Sequence, residues 1–505
     1  MTLYSPSLKE VAVQEPSISP SVPDDESTQR LFGCLCQTPV FERLNQHLHA
    51  TLNRRTFLGG SAALLVGAFV LPPKSALARA PDAPKGPVVF TDVRVFDGKS
   101  GTLRTGMRVV VEGQRIKAIE PQNNPLPAGA LVIAGGGRTL MPGLIDAHWH
   151  AMMASLPMAA LLSSSEGYLN LKAAEEAERT LMRGFTTVRD LAGPTFALKR
   201  AIDEGGFAGP RIWPSGAMIS QTSGHGDYRQ PFELPVGNLT PPPRTDTLGA
   251  TAIADGVSEV LKRAREQLML GASQLKLAAG GGVSSNYDPL DVSQFTEAEF
   301  RAAVDAAENW GTYVTVHAYT PRAIQTAIRG GVRCIDHGQL MDEATARIMA
   351  EKGIWFSGQP FLDDEDVTPF PAGSANRAKQ LQMTQGTDNA YKLAKQYKLK
   401  TAWGTDTLFD AKLATRQGAQ LAKMKRWYTP TEVMVMATST NAELLAMSGL
   451  RSPYQGKIGV VEAGAFADLL LVDGNPLENL DLVADAERNF KIIMKDGRIF
   501  KNTLG

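Results

Sequence analysis

Between residues 141 and 450, short apolar runs alternate with amphipathic helical stretches, and this alternation constrains the fold more than any other feature. Eight runs have the composition of buried strands: 143–150, 186–191, 211–219, 274–279, 313–318, 333–337, 354–358 and 401–405. Helical patterns lie between them, for example 171–183, 255–270, 297–309 and 341–352. The alternation is typical of βαβ units. It predicts an α/β fold with a (β/α)8 TIM-like barrel, whose active site would lie at the carboxyl ends of the strands.

The segments on either side of this region are rich in β-branched residues. Strands broken by Asp-Gly and Glu-Gly turns are indicated at 87–96, 107–112, 467–473 and 491–500. We expect both flanks to build one small β-sandwich domain. The predicted domains are therefore 86–140 and 451–505 for the sandwich and 141–450 for the barrel.

Residues 1–80 look like a polar arm followed by a targeting segment. Arg54 and Arg55 precede an apolar run at 57–71 and an A-x-A pattern within 75–80. This arrangement predicts a twin-arginine export signal and a periplasmic or secreted protein, with a membrane anchor only if the signal is uncleaved and a cytoplasmic location if it is not used. Cys34 and Cys36 precede the signal, so Cys334 alone remains and no disulfide is expected within the mature chain.

The overall charge excludes one class of partner. The chain has 52 lysines and arginines and 52 aspartates and glutamates, and it is 43% apolar. Such a balance gives no basic field for nucleic acid. A small-molecule substrate is favoured.

The histidines are few and unevenly placed. Of seven, His47 and His49 precede the export signal. Four others end predicted strands: His148, His150, His317 and His337. His148 and His150 are two positions apart, so strand alternation directs both towards the barrel mouth, where imidazoles are natural ligands for a divalent metal. A single strand-end histidine is also common in a structural core, so the whole set carries the prediction.

Asp406 and Lys276 also fall on predicted strands. Asp406 ends the eighth, where a carboxylate can bind metal, accept a proton or cap the next helix, and position alone leaves these open. Lys276 stands in an apolar run, and a buried ammonium is costly without a partner. One interpretation is a salt bridge with Asp146 or Asp406. The other is a carbamate, formed by the neutral amine with CO₂, whose two oxygens bridge two cations.

A Gly/Ser-rich connection after the third strand offers groups for substrate recognition. His225, Tyr228 and Arg229 carry donors suited to a free carboxylate. Tyr287, in the segment 284–288, is a second candidate. The alternative is a solvated turn with an exposed arginine.

The order HxH, Lys, His, His, Asp inside a barrel with β-rich flanks resembles the binuclear metal-dependent amidohydrolase superfamily, over nearly the whole chain after residue 85. The segments 274–285 (QLKLAAGGGVSS) and 222–228 (TSGHGDY) are similar to the prolidase-like branch, which includes Xaa-Pro dipeptidases, carboxypeptidases and ochratoxin hydrolases.

This resemblance implies a zinc-dependent hydrolase that cleaves the C-terminal amide of dipeptides or N-acyl amino acids, including ochratoxin-type N-acyl phenylalanines, and that forms a homo-oligomer. It implies two Zn²⁺ ions, or other divalent metals, per chain. The implied ligands are His148, His150 and Asp406 for one ion and His317 and His337 for the other, with N6-carboxylated Lys276 and a hydroxide bridging both. Asp406 would move the proton and His225 would assist the oxyanion.

Two alternatives remain within this resemblance. A cyclic-amide hydrolase or deaminase is one, although many deaminases lack the bridging lysine. A catalytically inactive interaction protein is the other, although such relatives typically lose metal ligands and none is missing here. Asp336 stands where many relatives have glutamate. Strand alternation from His337 is expected to turn both Asp336 and Cys334 away from the metals, with little consequence.

Overall fold

The computed structural model describes residues 79–230, 232–233 and 240–504. The predicted export signal up to residue 78, Cys34 and Cys36 lie outside these residues. The strands are β1 (Val88–Phe96), β2 (Leu103–Glu112), β3 (Arg115–Pro121), β4 (Leu131–Pro142), β5 (Leu144–Trp149), β6 (Phe185–Asp190), β7 (Arg211–Pro214), β8 (Met218–Ser220), β9 (Thr251–Ile253), β10 (Leu275–Ala278), β11 (Val314–Ala318), β12 (Cys334–His337), β13 (Trp355–Gly358), β14 (Thr401–Trp403), β15 (Leu469–Val472), β16 (Phe490–Lys495) and β17 (Arg498–Asn502).

The helices lie mostly between the strands of the central region. They are α1 (Met158–Ser163), α2 (Glu166–Met182), α3 (Phe196–Asp203), α4 (Arg244–Thr247), α5 (Val257–Leu270), α6 (Glu297–Asn309), α7 (Pro321–Arg329), α8 (Glu343–Lys352), α9 (Ala375–Gln396), α10 (Ala411–Ala414), α11 (Gln417–Lys423), α12 (Pro430–Val435), α13 (Asn441–Ala446), α14 (Asp481–Ala484) and α15 (Ala486–Asn489). Two 3₁₀ turns (Met424–Arg426 and Gly449–Arg451) and a π-helical turn (Met436–Thr440) complete the set. In the described part of the chain, no helix is long and apolar enough to span a membrane.

Strands from both flanks join in one seven-stranded sheet, in the order β17-β16-β15-β4-β1-β2-β3. β4 pairs in parallel with β1 and antiparallel with β15, where Leu140 faces Leu471. Val109 of β2 and Met494 of β16 belong to one buried cluster although their strands are far apart in the sheet order, so the sheet curls over its own apolar core. The prediction of a small sheet domain built from both flanks is confirmed.

The central region is a barrel of parallel strands. β14-β13-β12-β11-β10-β8-β9 form one sheet and β5-β6-β7 the other. Two backbone hydrogen bonds join them: Ser273 N donates to Pro214 O (2.7 Å), and Asp406 N donates to His148 O (2.8 Å). The predicted α/β barrel is therefore confirmed, with β9 as an extra strand alongside β8.

The third strand of the barrel differs from the prediction. The single strand expected at 211–219 is broken into β7 and β8 at Gly216, which has φ +72°. A Cβ on Gly216 would lie 2.4 Å from Gln267 Oε1, an atom that accepts a hydrogen bond from Ala217 N (2.9 Å). Glycine is required because both the backbone conformation and the close approach exclude a side chain.

The alternating faces of the strands divide the core. Leu275 and Leu277 of β10 pack with helix residues such as Phe300 in the outer apolar layer. Ile145 and Trp355 belong to a separate cluster at the bottom of the barrel interior. The polar side chains of the inner face are thereby left near the carboxyl ends of the strands, where TIM barrels place their active sites.

Candidate active site

The predicted histidines, Asp406 and Lys276 meet at the carboxyl ends of the barrel strands. The ring centroid of His148 lies 5.3 Å from that of His150 and 4.9 Å from that of His337. The ring centroids of His317 and His337 are 4.4 Å apart. Asp406 Oδ1 lies 2.8 Å from His150 Nε2 and 3.2 Å from His148 Nε2. Residues separated by more than 250 positions in the sequence thus form one cluster.

Two members of the cluster have left-handed backbone conformations. His337 has φ +79° and Asp406 has φ +52°. These conformations are uncommon for residues other than glycine and cost about 1–3 kcal/mol each, and they concentrate at functional sites. The strained backbone at His337 and Asp406 therefore marks this cluster as a candidate functional site.

The left-handed turn at His337 also reverses a prediction. Cys334 packs with Trp355 in the barrel interior, and Asp336 Oδ2 lies 2.6 Å from Lys276 Nζ. The expectation that Cys334 and Asp336 turn away from the site is therefore wrong. Alternation holds along β12 but ends before His337, so the inner face of the strand carries Cys334 and Asp336 while His337 reaches the mouth through its backbone turn.

Lys276 is 2% exposed and its partner is Asp336, whereas the salt-bridge interpretation named Asp146 or Asp406. Asp336 also accepts hydrogen bonds from Arg189 Nη2 (2.7 Å) and Thr315 Oγ1 (2.7 Å). Burial lowers the pKa of Lys276. Burial alone would raise the pKa of Asp336, but the charges of Lys276 and Arg189 hold that pKa well below its usual range.

Asp146 has a different role. Its carboxylate accepts hydrogen bonds from His148 N (3.0 Å) and from Thr405 Oγ1 (2.7 Å), next to Asp406. One buried carboxylate therefore ties together the two strand ends that carry His148 and Asp406.

The imidazoles have the form that binds metal. Burial lowers the pKa of His150, His317 and His337, so these rings are neutral at neutral pH. His317 Nε2 lies 3.2 Å from Gly281 O, so Nε2–H donates and Nδ1 keeps its lone pair. His337 Nδ1 lies 2.7 Å from Gln359 Oε1, which leaves its Nε2 lone pair free. Metal-ligating histidines in proteins are held by their other ring nitrogen in this way.

The donor set fits a divalent ion. Ligand atoms of His148, His337 and Asp406 all lie within 4.8 Å of one another. Nitrogen and carboxylate donors in a buried cluster suit zinc. Gln359 was not among the predicted site residues, although its place directly after the predicted strand 354–358 is the kind of position that marked the histidines.

Asp406 faces the cluster with 12% of its side chain exposed. Burial would raise its pKa, but the charge of His148 and hydrogen bonds from His148 and His150 hold the pKa well below its usual range. The next helix, α10, is capped by Asp410, which accepts from Lys412 N and Leu413 N. The helix-cap interpretation of Asp406 is therefore not supported.

His225 and Tyr228 lie beside this cluster. The His225 ring stacks on His317 with a centroid separation of 4.0 Å, and its Nδ1 lies 2.8 Å from Ser285 Oγ. Burial lowers the pKa of His225 to about 4, so the ring is neutral. The Tyr228 hydroxyl lies 3.2 Å from Ser284 Oγ. Both residues line the cavity above the cluster.

Arg229 and Tyr287 are placed elsewhere. Arg229 Nε donates to Asp227 Oδ1 (2.7 Å), and the two residues form an ion pair. Tyr287 is 40% exposed, and its hydroxyl donates to Arg229 O (2.7 Å). Within the described residues, neither side chain lines the cavity.

The cavity over the cluster has a volume of about 670 Å³. Its walls are mostly apolar: Met153, Met158, Leu161, Leu162, Met218, Leu248, Phe361, Val367, Phe370, Met383, Phe409 and Leu413. Among the described lining residues, Lys276 is the only lysine and no arginine is present. A ligand of this cavity therefore meets apolar side chains and neutral hydrogen-bonding groups, with ionisable groups concentrated at the cluster and at Asp366 and Asp410.

Gly282 fixes the position of His225. A Cβ at residue 282 would lie 1.8 Å from His225 Nδ1. We expect Gly282→Ala to displace the ring and to lower kcat/KM by about 10²-fold, since a 1 Å misplacement has effects of that size. Metal content should not change. Gly167→Ala, where a Cβ meets open space, is the matched control. Undiminished activity of Gly282→Ala would contradict the assignment of His225 to the site.

Comparison with known proteins identifies the family. Residues 139–500 match the model of the amidohydrolase family. The chain is 30% identical over 374 residues to ochratoxinase from Aspergillus niger, covering 72% of this chain and 75% of that protein. A prolidase solved with N-methylphosphonate-L-proline is 33% identical with a TM-score of 0.76, covering 83% of this chain and all of that one. A Xaa-Pro dipeptidase solved with methionine bound in its active site is 27% identical with a TM-score of 0.71, with coverage of 83% and 100%.

These matches agree with the barrel, the flanking sheet and the cluster at the strand ends. They also favour an enzyme over the catalytically inactive interaction protein on the same fold. The chain belongs to the amidohydrolase family and is a hydrolase that acts on carbon–nitrogen bonds.

Proposed function

We propose that this enzyme hydrolyses the C-terminal amide of dipeptides or N-acyl amino acids with bulky apolar groups, with the help of two divalent metal ions, zinc in the first instance. The observation that carries the proposal is the juxtaposition of the histidine, aspartate and lysine cluster with an apolar cavity of about 670 Å³. The named activities of the relatives, an ochratoxinase, a prolidase and a Xaa-Pro dipeptidase, support it.

The residues that would hold the metals are those of the cluster. His148, His150 and Asp406 would bind one ion, and His317 and His337 the other. When bound, such ions lower the pKa of a water ligand to about 7 and polarise the scissile carbonyl.

Lys276 would serve both ions as a carbamate, with its amine nitrogen bonded to the carbon of CO₂ and one proton released. The charges in the barrel interior support this. Arg189 also pairs with Asp336, so Asp336 keeps a cationic partner when Lys276 becomes a carbamate. Burial lowers the pKa of Lys276 and so favours the neutral amine that reacts with CO₂.

Asp406 is the group best placed to move a proton. Its carboxylate contacts the ring nitrogens of His148 and His150 and has access to the cavity. It would accept a proton from water and return it to the leaving amine. Proton transfer of this kind contributes about 10²–10⁴-fold to rates. His225 and Tyr228 would donate hydrogen bonds around the carbonyl and the carboxylate of the substrate.

The substrate carboxylate would be bound by neutral groups. Tyr228, Ser284 and Asn286 line the cavity beside His225. Arg229 would not take part, because Asp227 already holds its guanidinium. A hydrogen bond from a neutral donor to a carboxylate is worth about 1.5–3 kcal/mol, so one such bond should give a clear preference for a free carboxylate.

A substrate panel tests the proposal. N-acyl phenylalanines, Xaa-Pro dipeptides and their C-terminal amides would be compared by kcat/KM. We expect the free acids to be preferred over the matched amides by about 10- to 100-fold, the effect of one hydrogen bond from a neutral donor to a carboxylate. We also expect aromatic acyl groups to be preferred over acetyl, because the cavity walls are apolar.

Two variants locate the carboxylate site. Tyr228→Phe should reduce the preference for free acids, whereas Arg229→Met should leave it unchanged. Loss of the preference in Arg229→Met would show that the loop rearranges around the substrate. Absence of any preference in the unmodified enzyme, with hydrolysis of cyclic amides instead, would overturn the proposal.

A further inference from the structure

A buried glutamine links the two halves of the cluster. Gln359 follows β13 directly and is 0% exposed. Its Oε1 lies 2.7 Å from His337 Nδ1, and its Nε2 lies 3.2 Å from His148 Nδ1. His148 and His337 belong to the two different halves of the proposed metal centre, so one side chain contacts a ligand of each ion.

The orientation of the Gln359 amide follows from a third contact. Its Nε2 donates to Ser357 O (2.9 Å), and a carbonyl can only accept a hydrogen bond. Oε1 must therefore be the atom that faces His337. Since Oε1 can only accept, His337 carries its proton on Nδ1. The Nε2 lone pair of His337 is then free for a metal.

The same amide steadies His148. Its Nδ1 is flanked by Gln359 Nε2 at 3.2 Å and by Asp336 Oδ1 at 3.5 Å. One neighbour is a donor and the other an acceptor, so Nδ1 has a partner both when it carries the ring proton and when it does not. Nε2 remains directed at Asp406 in both cases.

Hydrogen bonds to its backbone carbonyl hold Gln359 in place. Gln359 O accepts hydrogen bonds from Phe361 N (2.9 Å) and from Gln339 Nε2 (3.3 Å). His337, by contrast, sits in a left-handed conformation at the end of its strand, where the regular ladder no longer orients the side chain. A fixed amide therefore compensates for a ligand whose backbone has left the strand.

We propose that Gln359 is a positioning residue that selects the metal-binding tautomer of His337 and sets the spacing between His337 and His148, and thereby tunes the affinity for both ions. The inference rests on the metal centre of the proposed function. Partners of this kind typically change metal affinity by 10- to 100-fold.

Metal affinity measured by competition with a chromogenic zinc chelator tests the inference without a substrate. Gln359→Leu removes the acceptor and the donor together and should weaken Zn²⁺ binding by about 10- to 100-fold. Gln359→Glu keeps an acceptor beside His337 Nδ1 but has at most one hydrogen in place of the two of the amide, so its affinity should fall between those of Gln359→Leu and the unmodified enzyme.

Gln267→Leu is the matched control. Gln267 is 5% exposed, and its Oε1 accepts a hydrogen bond from Ala217 N at the break between β7 and β8. Its Zn²⁺ affinity should equal that of the unmodified enzyme. Circular dichroism would establish that each variant is folded. If Gln359→Leu does not fold, Gln359→Met, which also lacks the amide oxygen and the amide hydrogens, takes its place: weaker binding supports the inference and unchanged binding overturns it.

The outcomes separate the two proposals. If the unmodified enzyme binds no Zn²⁺, the proposed function fails. If it binds two ions and Gln359→Leu binds them with equal affinity, the inference about Gln359 fails while the proposed function stands. Weakening by Gln267→Leu as large as that by Gln359→Leu would also overturn the inference, because the effect would then come from packing.

Discussion

Lys276→Ala is expected to lower the metal content from two ions per chain to one or fewer and to reduce kcat/KM by at least about 10³-fold, or about 4 kcal/mol of transition-state stabilisation. The reason is that alanine cannot form the carbamate that would bridge both ions. The barrel interior should tolerate the change, since Arg189 remains to balance the charge of Asp336. The measurements are metal analysis by atomic emission and kinetics with the best substrate of the panel.

A buried lysine outside the barrel controls for the cost of losing any buried ammonium. Lys495 is 4% exposed in the sheet domain and pairs with Asp496 at 3.0 Å. Lys495→Ala should affect stability without changing metal content. Native mass spectrometry adds an independent measurement, because the unmodified chain should carry the mass of one CO₂ that Lys276→Ala lacks. Full activity of Lys276→Ala with two bound ions would contradict the carbamate and favour a permanent ion pair with Asp336.

The barrel and the members of the cluster could be predicted because both depend on local patterns. A continuous apolar run of four to eight residues between amphipathic helices indicates a strand buried on both faces. This pattern can be read from the sequence alone. A polar residue at the carboxyl end of such a run is expected at the mouth of the barrel, because the rest of the strand is buried. His148, His317 and Asp406 were recognisable for this reason, and Lys276 was recognisable because its neighbours Leu275 and Leu277 face the helices.

The hydrogen-bond and ion-pair partners of these residues could not be predicted. They depend on contacts between residues far apart in sequence, and on where a strand stops alternating between its two faces. Asp336 was misplaced because the left-handed turn at His337 shifts the register by one residue. Arg189, 147 positions away from Asp336, gives no local signal of its role. The sequence makes Arg229 a candidate ligand for the substrate carboxylate, but in the structure its guanidinium pairs with Asp227, two positions earlier.

Replacement of Asp406 by asparagine is expected to lower kcat by about 10²–10⁴-fold, the usual contribution of a positioned acid or base. Asparagine has nearly the same shape but neither accepts a proton nor carries the negative charge near His148 and His150. The control is Asp342→Asn, which changes the cap of α8 to a residue of equal capping strength and should leave activity unchanged.

The loss of activity in Asp406→Asn should depend on the leaving group of the substrate. This dependence tells whether Asp406 transfers a proton or only binds metal. An amine of ordinary basicity must receive a proton as the carbon–nitrogen bond breaks, whereas the nitroaniline released from a nitroanilide of the same acyl group depends less on that proton, because its nitro group stabilises negative charge on the nitrogen. If Asp406 returns the proton, Asp406→Asn should impair hydrolysis of the alkyl amide more than that of the nitroanilide. If Asp406 only binds metal, both substrates should lose activity by the same factor, and the metal content should fall in parallel. An equal loss at unchanged metal content would assign the decisive proton transfer to another group, of which His225 is the nearest candidate that already faces the cavity.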